Sequence, residues 1–354
     1  MQKILHKAPL LLMIIGLVAG MLWIIKNPYH KETLTAEGLS ANTTLPDTQS
    51  ITTNLPNVPE RLQRNFQTDF TQSSIDLAEL LLGGPTKDGI PSIDNPTFVS
   101  IAEAEKEGLD DETLGMFVQS GNGGKFYPYT ILVWHEIVND LVDGVPVSIT
   151  FCPLCGSAIG YERTLPDGTV ATFGVSGMLR ESNMVMYDRA TESLWQQSDG
   201  VAIVGNLINM ELTHIPVNII EFSDIKAFHT NAQVLSRNTG YIRNYGVYPY
   251  GNYNENENFI FPTSAFSDRF FSKELFEIII LPNNGGELAI MRSRVQSLEN
   301  DESITHADTG ITITKKDGIL AIRDKNGEQL AHYVEMWFSW VIHQNPNENN
   351  LIWE

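Results

Sequence analysis

The sequence predicts a β-rich α+β protein, in which antiparallel strands and a few helices follow an N-terminal membrane segment. Hydrophobic residues make up 42% of the 354 residues, which is enough to bury a core. Short β-branched and aromatic runs recur between turn signals in the middle of the chain, a pattern typical of hairpins. One long uncharged apolar run stands close to the N-terminus.

Residues 8–25 carry no charge and are just long enough to cross a bilayer. The flank before this run is slightly more positive than the flank after it, which predicts that the N-terminus stays inside. We interpret residues 1–31 as an uncleaved transmembrane signal anchor. A cleaved signal peptide is the alternative, because residues 18–20 (Val-Ala-Gly) form a small-residue cleavage site. Both interpretations place the body outside the cytoplasm, and the first predicts a single-pass protein of the cell membrane.

Residues 32–60 are rich in Thr, Asn, Ser and Pro and show no apolar periodicity. This composition predicts a flexible linker between the membrane and the body. The composition becomes globular near Arg61, so we expect one β-rich domain over residues 61–354.

The chain has 43 acidic and 23 basic residues, a formal net charge of −20. A body this acidic repels phosphate backbones, so the sequence predicts no nucleic-acid partner. It also repels anionic lipid, so contact with the membrane is expected only through the N-terminal helix. The composition does not identify a protein or small-molecule partner.

Local patterns predict three helices in the first half of the body, over residues 75–82, 98–107 and 129–141. The third rests on Ile131, Trp134, Val138 and Leu141, which recur at helical spacing. An Asp-Gly turn follows at 143–144. Residues 145–151 are then β-rich and lead directly to the cysteines.

Hairpins are expected after the cysteines. The first is expected at a Pro-Asp-Gly turn, which is flanked by residues 159–163 and 170–175. The second is expected at the turn between residues 184–187 and 193–197. A further strand is expected at 201–204. The order of motifs after Gly124 recurs after Gly286, including the Asp-Gly turn. This predicts two unequal halves with one shared pattern, of which only the first carries cysteines.

The two cysteines, Cys152 and Cys155, lie in the sequence Phe-Cys-Pro-Leu-Cys-Gly-Ser. At this spacing after a strand, both sulfurs point to one place. The pattern is typical of metal-binding knuckles and, with a mixed set of thiolate and imidazole ligands, favours zinc or copper. A structural disulfide in a non-catalytic envelope binding module is the alternative. Thiol–disulfide exchange is a third hypothesis, although the residues from Gly156 onward are a poor helix start.

His135 is the expected third ligand or proton donor, because it precedes the cysteines by a short connection. On the expected helix, His135 and Asn139 share one face, and Glu136 and Asp140 share another. Asn139 stands where a second histidine would complete His-Glu-x-x-His, so the sequence does not support a zinc metalloprotease. The competing interpretation is that His135 and Asn139 brace the next turn.

Several other polar residues are candidates for a pocket. Arg180 is expected to bind an anionic group, and the tyrosines of residues 241–253 are expected either to wall a site or to latch onto the sheet. The full candidate set is Glu136, Asn139, Asp140, Ser157, Ser176, Arg180, Asn183, Trp195, Gln196, Gln197, Tyr245 and Tyr250. No motif for hydrolase, kinase or dinucleotide chemistry is present, so the sequence assigns no catalytic residue.

Six segments together resemble the prokaryotic family of unknown function numbered 3179, over roughly residues 65–343. They are GGPTKDGIPSIDNP, YPYTILVWHEIVND, PVSITFCPLCGSAI, FGVSGMLRESNMVMYDR, ESLWQQSDG and VLSRNTGYIRNYGVYPYGNY. The resemblance implies that the HE…ND, CPLCGS, FGVSG and WQQ segments belong to one site region, and it names no substrate. Departures from the family pattern lie at 124–128 and at Phe151, outside the expected sulfur site.

Overall fold

A computed structural model describes residues 65–121, 123–264, 267–283, 285–344 and 351–353. The expected membrane segment at 1–31 and the expected linker at 32–60 lie outside these residues. Within the described ranges, no helix has the length and apolar character needed to span a bilayer. The fold is the expected β-rich α+β type, with mostly antiparallel sheets and a few short helices.

The strands are β1 (Leu81–Leu82), β2 (Phe98–Ser100), β3 (Leu114–Val118), β4 (Lys125–Pro128), β5 (Ile137–Val142), β6 (Val145–Cys152), β7 (Ser157–Glu162), β8 (Phe173–Arg180), β9 (Asn183–Asp188), β10 (Leu194–Gln196), β11 (Ala202–Val204), β12 (His214–Ile215), β13 (Asn218–Glu221), β14 (Gln233–Leu235), β15 (Leu275–Ile280), β16 (Glu287–Met291), β17 (Ser303–Thr305), β18 (Thr312–Lys316), β19 (Ile319–Arg323), β20 (His332–Met336) and β21 (Leu351–Trp353). The α-helices are α1 (Ile101–Lys106), α2 (Tyr129–His135), α3 (Phe222–Phe228), α4 (Arg292–Gln296) and α5 (Trp337–Gln344). Short 3-10 helices cover Leu77–Glu79 and Tyr253–Glu255.

The strands form four sheets. One has the order β1-β8-β9-β10-β11, and another has the order β13-β3-β4-β14-β2. The largest runs β21-β16-β15-β20-β7-β6-β5, with β12 also paired to β7, and β17-β18-β19 form a small separate sheet.

One strand plan occurs twice, which confirms the predicted repeat at the level of topology. In the first unit, β3 pairs antiparallel with both β4 and β13, and β14 runs parallel to β4. In the second unit, β15 pairs antiparallel with both β16 and β20, and β21 runs parallel to β16. The hairpin β6–β7 joins the units, because Ala158 of β7 pairs with Val334 of β20. The cysteine hairpin therefore lies at the junction of the two units.

The predicted helix over 129–141 is wrong in its second half. Helix α2 ends at His135, and Glu136 adopts a left-handed φ of 59° that turns the chain. Residues 137–142 then form β5, which pairs along its whole length with β6. The β-branched residues of this stretch are buried in the sheet, so tertiary packing overrides the apparent helical spacing.

The other two helix predictions are also too long. Residues 98–100 pair with β14, and α1 begins only after Ser100, whose hydroxyl caps it together with Glu103. Between 75 and 82, only Leu77–Glu79 is helical, because Leu81 and Leu82 pair with β8. In both cases pairing at a sheet edge takes residues that the sequence pattern assigned to a helix.

The hairpin between β9 and β10 and the strand β11 are confirmed. The expected hairpin between 159–163 and 170–175 is wrong, because β7 and β8 belong to different sheets. The chain does turn at the Pro-Asp-Gly site, where the Leu165 and Thr169 backbones are bonded, and only one bridge joins Thr164 to Val170. The turn residues specify the reversal but do not specify which strands pair after it.

Candidate functional site

The two cysteines lie in the turn of the β6–β7 hairpin. Cys152 is the last residue of β6 and stands opposite Ser157, the first residue of β7. The amide of Cys155 donates to the carbonyl oxygen of Cys152 at 3.2 Å, and Gly156 completes the turn with φ of 58°. A Cβ atom at position 156 would lie 2.9 Å from Leu275 Cδ2, so the turn needs glycine for both reasons.

The pKa values of the two neighbouring thiols are shifted in opposite directions. Burial alone raises the pKa of Cys152, but a hydrogen bond from the Cys155 thiol brings this pKa below its ordinary value. The backbone amides of Leu154, Cys155 and Met184 act in the same direction. Burial and the bond to Cys152 raise the pKa of Cys155 well above its ordinary value. Cys152 is therefore the residue that ionises first, and Cys155 stays a neutral thiol beside it.

Both sulfurs are enclosed by protein, since Cys152 is 1% exposed and Cys155 is 0% exposed. The Cys155 thiol also lies 3.1 Å from the carbonyl oxygen of Ser182, and Cys152 Sγ lies 3.9 Å from the same oxygen. Ser182 has a left-handed φ of 63°, and its hydroxyl donates to the carbonyl oxygen of Phe261. The turn between β8 and β9 therefore closes one side of the sulfur pair.

Glu136, the residue directly after helix α2, lies near Cys152. Its carbonyl oxygen accepts from the amide of Phe151 at 2.8 Å, which fixes its backbone beside Cys152. Burial raises the pKa of Glu136 well above its ordinary value, and the charge on Cys152 adds to this. Burial and the neighbouring sulfur therefore both disfavour the charged form of Glu136.

The tyrosine segment, residues 241–253, covers the cysteine turn. The phenol of Tyr253 donates to the carbonyl oxygen of Leu154 at 3.1 Å. Tyr250 packs against the core around the cysteines, and its pKa is raised first by burial and then by Glu136 and Cys152. Both functions foreseen for the segment, as a wall and as a latch, are consistent with these contacts.

Lys273 fastens the end of the tyrosine segment. Its ammonium lies 3.5 Å from the centroid of the Tyr253 ring and donates to the carbonyl oxygens of Tyr253 and Asn258, at 2.6 and 2.7 Å. Lys273 is itself only 3% exposed. One buried cation thus holds two turns of the covering segment against the body.

Four of the predicted pocket residues form one buried amide network next to the hairpin. Gln197 Oε1 accepts from the Ser157 hydroxyl at 2.6 Å and from the Asn183 side-chain amide at 2.8 Å. Asn183 Oδ1 accepts from the Gln196 side-chain amide at 2.6 Å. The network joins β7, β9 and β10, and it thereby fixes the strand that begins directly after the cysteine turn.

His135 is fully buried, and both of its ring nitrogens have partners. Nδ1 lies 2.7 Å from the carbonyl oxygen of Pro91, and Nε2 lies 2.7 Å from the phenol oxygen of Tyr245. Burial lowers the pKa of His135 to about 4. Neither nitrogen is therefore free to approach the cysteines in this arrangement.

The remaining predicted residues hold the surrounding strands. Asn139 bonds both backbone groups of Phe173, and Asp140 accepts from Lys125 and Tyr127. Arg180 pairs with Glu79 at 2.7 Å. Ser176 donates to the carbonyl oxygen of Val185, and the Trp195 ring nitrogen donates to Asp188.

The donors around Cys152 and Cys155 do not fit a complete zinc or copper site. The described residues contain no group of three or more His, Cys, Asp and Glu side chains placed to hold a metal ion. Structural zinc sites have four protein ligands, and catalytic ones have three. The zinc or copper site stays a prediction.

Sequence reasoning missed Glu335 and Ser339, which approach Cys155 from the second unit. The amide of Met336 donates to the carbonyl oxygen of Cys155 at 2.9 Å, so β20 runs directly past the cysteine turn. Glu335 is the only charged residue within the apolar run 333–342, and this is the signal that was available. Its partner is far away in sequence, so the signal alone does not reveal what it faces.

The comparisons with known proteins agree with the six sequence segments. Residues 87–347 match the model of a family described as protein of unknown function (DUF3179). No curated protein and no solved structure matches the chain. The family match spans the cysteine hairpin, the amide network and most of both repeat units, well over half of the chain. The chain therefore belongs to the DUF3179 family.

Proposed function

We propose that Cys152 and Cys155 carry out dithiol–disulfide exchange with a disulfide or dithiol of another molecule outside the cytoplasm. The observation that carries this proposal is the unequal thiol pair. Three backbone amides and the Cys155 thiol bring the pKa of Cys152 below its ordinary value, whereas burial and Cys152 raise the pKa of Cys155 well above its own. This is the arrangement that a nucleophilic and a resolving cysteine require.

In the oxidative direction, the Cys152 thiolate attacks one sulfur of a partner disulfide. A bond forms between Cys152 and that sulfur, the partner's S–S bond breaks, and the second partner sulfur leaves as a thiolate. Cys155 then loses its proton and attacks Cys152 Sγ, which releases the first partner sulfur. The protein gains an intramolecular disulfide, and the partner is reduced to a dithiol.

The covering segment controls access to this reaction. A partner sulfur reaches Cys152 only when the contact of Tyr253 with Leu154 opens, because both thiols are enclosed. After opening, Cys152 is the sulfur expected to attack, because its pKa is the lowered one and Cys155 keeps its contact with Ser182. The proposal therefore assigns the attack to Cys152 and the resolution to Cys155.

The test uses the full-length chain in detergent and an aromatic disulfide that releases a coloured thiol. The reduced wild-type protein is expected to release two thiols per chain and to end as an internal disulfide. Cys155→Ser is expected to release one and to keep the other as a mixed disulfide on Cys152. Cys152→Ser is expected to react at least about tenfold more slowly, because the remaining thiol, that of Cys155, has a raised pKa.

Three results would overturn this proposal. A wild-type protein that releases two coloured thiols but keeps two mixed disulfides would show that Cys155 does not resolve. Zinc or copper bound near one per chain by mass spectrometry, and lost in Cys152→Ser, would instead support the metal site. A pair that resists reduction by dithiothreitol in the folded protein would support the structural disulfide of a binding module.

We also propose that the N-terminal apolar run anchors the chain in the cell membrane with its body outside the cytoplasm. The uncharged run at 8–25 and the polar stretch that follows it support this. The test is extraction of membranes with alkaline carbonate, followed by protease treatment of intact cells or spheroplasts. Retention in the membrane with an accessible body is expected, whereas release by carbonate would contradict the anchor.

A further inference from the structure

Cys155 needs a partner for its proton, and the second repeat unit places one beside it. The hydroxyl of Ser339, on α5, is within hydrogen-bonding reach of the Cys155 sulfur. The same hydroxyl donates to Glu335 Oε1 at 2.6 Å. Glu335 is fully buried on β20, next to the residue whose amide holds the Cys155 carbonyl oxygen. A continuous path therefore leads from Cys155 Sγ through Ser339 Oγ to a carboxyl group.

The second oxygen of Glu335 has no partner in the described part of the chain. Glu335 Oε2 is buried without a hydrogen bond, although an uncompensated carboxylate oxygen is costly inside a protein. In the first unit, the residue one position before the end of the corresponding strand β13 is Ile220. The equivalent position is therefore apolar in the first unit, where no cysteine lies nearby. It is a carboxyl in the second unit, where Cys155 lies nearby.

We propose that Glu335 exchanges a proton with Cys155 through the Ser339 hydroxyl when the Cys152–Cys155 disulfide opens and closes. This inference rests on the dithiol–disulfide exchange proposed above. Glu335 does not touch the reacting sulfur, so it is a positioning residue that acts through Ser339. Ser339 is the residue in contact with the sulfur.

The step balances in the reductive direction. The thiolate of an incoming thiol attacks Cys152 Sγ, the Cys152–Cys155 bond breaks, and its electron pair stays on Cys155 Sγ. Ser339 gives its hydroxyl proton to that sulfur, and the carboxylic acid of Glu335 replaces it. The products are a mixed disulfide on Cys152, a neutral Cys155 thiol and a Glu335 carboxylate, which then recovers a proton from solvent. Oxidation runs the same transfers backward.

The environment of Glu335 suits this transfer. Burial is the main cause that raises the pKa of Glu335 well above its ordinary value. The titratable groups that face it are Cys152 and Cys155 in the hairpin turn, Tyr161 on β7, Asp199 after β10, Glu287 on β16 and Tyr333 on β20. Glu287, Asp199 and the Cys152 thiolate all oppose its ionisation. The Glu335 carboxyl and the Cys155 thiol both have raised pKa values, which favours proton transfer between them.

The test measures the rate at which dithiothreitol reduces the disulfide of the full-length chain between pH 5 and pH 9. Rates are divided by the dithiothreitol thiolate concentration, so that the remaining pH dependence belongs to the protein. Wild type is expected to lose rate as Glu335 loses its proton. The disulfide of Glu335→Gln is expected to be reduced about tenfold more slowly at pH 7, and this fall in rate with rising pH is expected to be absent. The fall is expected to be absent in Ser339→Ala as well, although that variant keeps the carboxyl group.

Two controls separate proton transfer from folding. Glu287→Gln removes a neighbouring buried carboxyl that accepts hydrogen bonds from Tyr333 and Trp340. Its reduction rate is still expected to fall with rising pH, as in wild type. Glu335→Asp keeps a carboxyl and is expected to regain part of the rate. Should Glu335→Gln not fold, the Ser339→Ala profile decides alone.

The outcomes distinguish the two proposals. A wild-type protein whose disulfide forms and is reduced, and whose pH profile is unchanged in Glu335→Gln and Ser339→Ala, would overturn the role of Glu335 only. A wild-type protein whose cysteines do not cycle at all would overturn both proposals.

Discussion

The phenol of Tyr253 donates a hydrogen bond of 3.1 Å to the carbonyl oxygen of Leu154, the residue directly before Cys155. This bond ties the covering segment to the turn that holds both sulfurs. Lys273 binds the ring and the backbone carbonyl of Tyr253, so it stabilises the end of the cover next to the cysteine turn, while the bond of Tyr245 to His135 holds the middle. Opening at that end is therefore the motion that exposes Cys152.

Loss of the Lys273 ammonium should expose the thiols. We expect Lys273→Met to raise the alkylation rate of Cys152 by about tenfold, which corresponds to about 1.4 kcal/mol of easier opening. The measurement is iodoacetamide labelling followed by mass spectrometry of the cysteine peptide. Lys226→Met is the control, because its ammonium binds Glu105 and Asp111 instead. Equal labelling rates in the two variants would contradict the latch.

Gly156 should be far less tolerant than a glycine of similar backbone conformation in open space. Both Gly156 and Gly168 have positive φ, at 58° and 84°. A Cβ at 156 would meet Leu275 and Met336, whereas a Cβ at 168 would have nothing within 4 Å. We expect Gly168→Ala to lower the free energy of unfolding by about 1 kcal/mol and Gly156→Ala by roughly 2–4 kcal/mol. Urea denaturation measures both, and equal losses would contradict the packing argument.

Glu287 should make the protein less stable as the pH rises. Burial is the main cause that raises its pKa to about 7 in the folded protein, from an ordinary value of 4.5. The folded state therefore holds a proton that the unfolded state loses. The stability that this proton gives is complete below pH 4.5 and is lost as the pH rises through about 7. The shift corresponds to roughly 3 kcal/mol.

Glu287→Gln stays neutral and should lose this dependence. We expect the fall in the urea midpoint between pH 5 and pH 8 to be clearly smaller in Glu287→Gln than in wild type. Glu328→Gln, at an exposed position, is the control, and it should leave the fall in the urea midpoint unchanged. An identical fall in all three proteins would show that Glu287 does not hold the proton.

His135 should remain neutral over the physiological range. Burial lowers its pKa to about 4, so the unfolded state binds a proton below about pH 6.5 that the folded state refuses. This group therefore costs stability as the pH falls from about 6.5 to 4. Proton–nitrogen NMR of the imidazole is expected to show no titration above pH 5. A midpoint near 6.5 would mean that the ring is open to solvent.

Tyr245→Phe tests the same histidine from its partner. The substitution leaves His135 Nε2 without the phenol at 2.7 Å, and we expect it to lower the free energy of unfolding by about 1–3 kcal/mol. The rate at which Cys152 is alkylated should not change, because His135 is bonded to Pro91 and Tyr245 rather than to the sulfurs. A large change in that rate would instead return His135 to the sulfur site.

The sequence predicted the general fold because local signals and sheet composition agree over most of the body. The β9–β10 hairpin and the repeat were both visible, since turn residues and motif order are local properties. The stretch 129–141 misled because apolar residues at Ile131, Trp134 and Val138 fit a helix equally well. Helix and strand are separated there only by the left-handed backbone conformation of Glu136. The sequence has no glycine at that position to signal the turn.

The site was predictable only where its parts are close in the chain. The hairpin turn follows from the spacing of Cys152 and Cys155, and Ser157 lies beside them. Glu335 and Ser339 come from the second unit, so pairing of β7 with β20 is needed before they can be recognised. His135 shows the reverse error, because nearness in sequence suggested a contact with sulfur that the ring's bonds to Pro91 and Tyr245 replace.

The pairing of Ala158 with Val334 also has a consequence during biosynthesis. A chain emerging from the amino end displays Cys152 and Cys155 long before the strand that shelters them has been made. During that interval both sulfurs are exposed to whatever oxidants and other nascent chains the compartment contains. Contacts so distant along the polypeptide form slowly, which prolongs the vulnerable period. Chaperone assistance at this stage would protect the thiols as much as the fold.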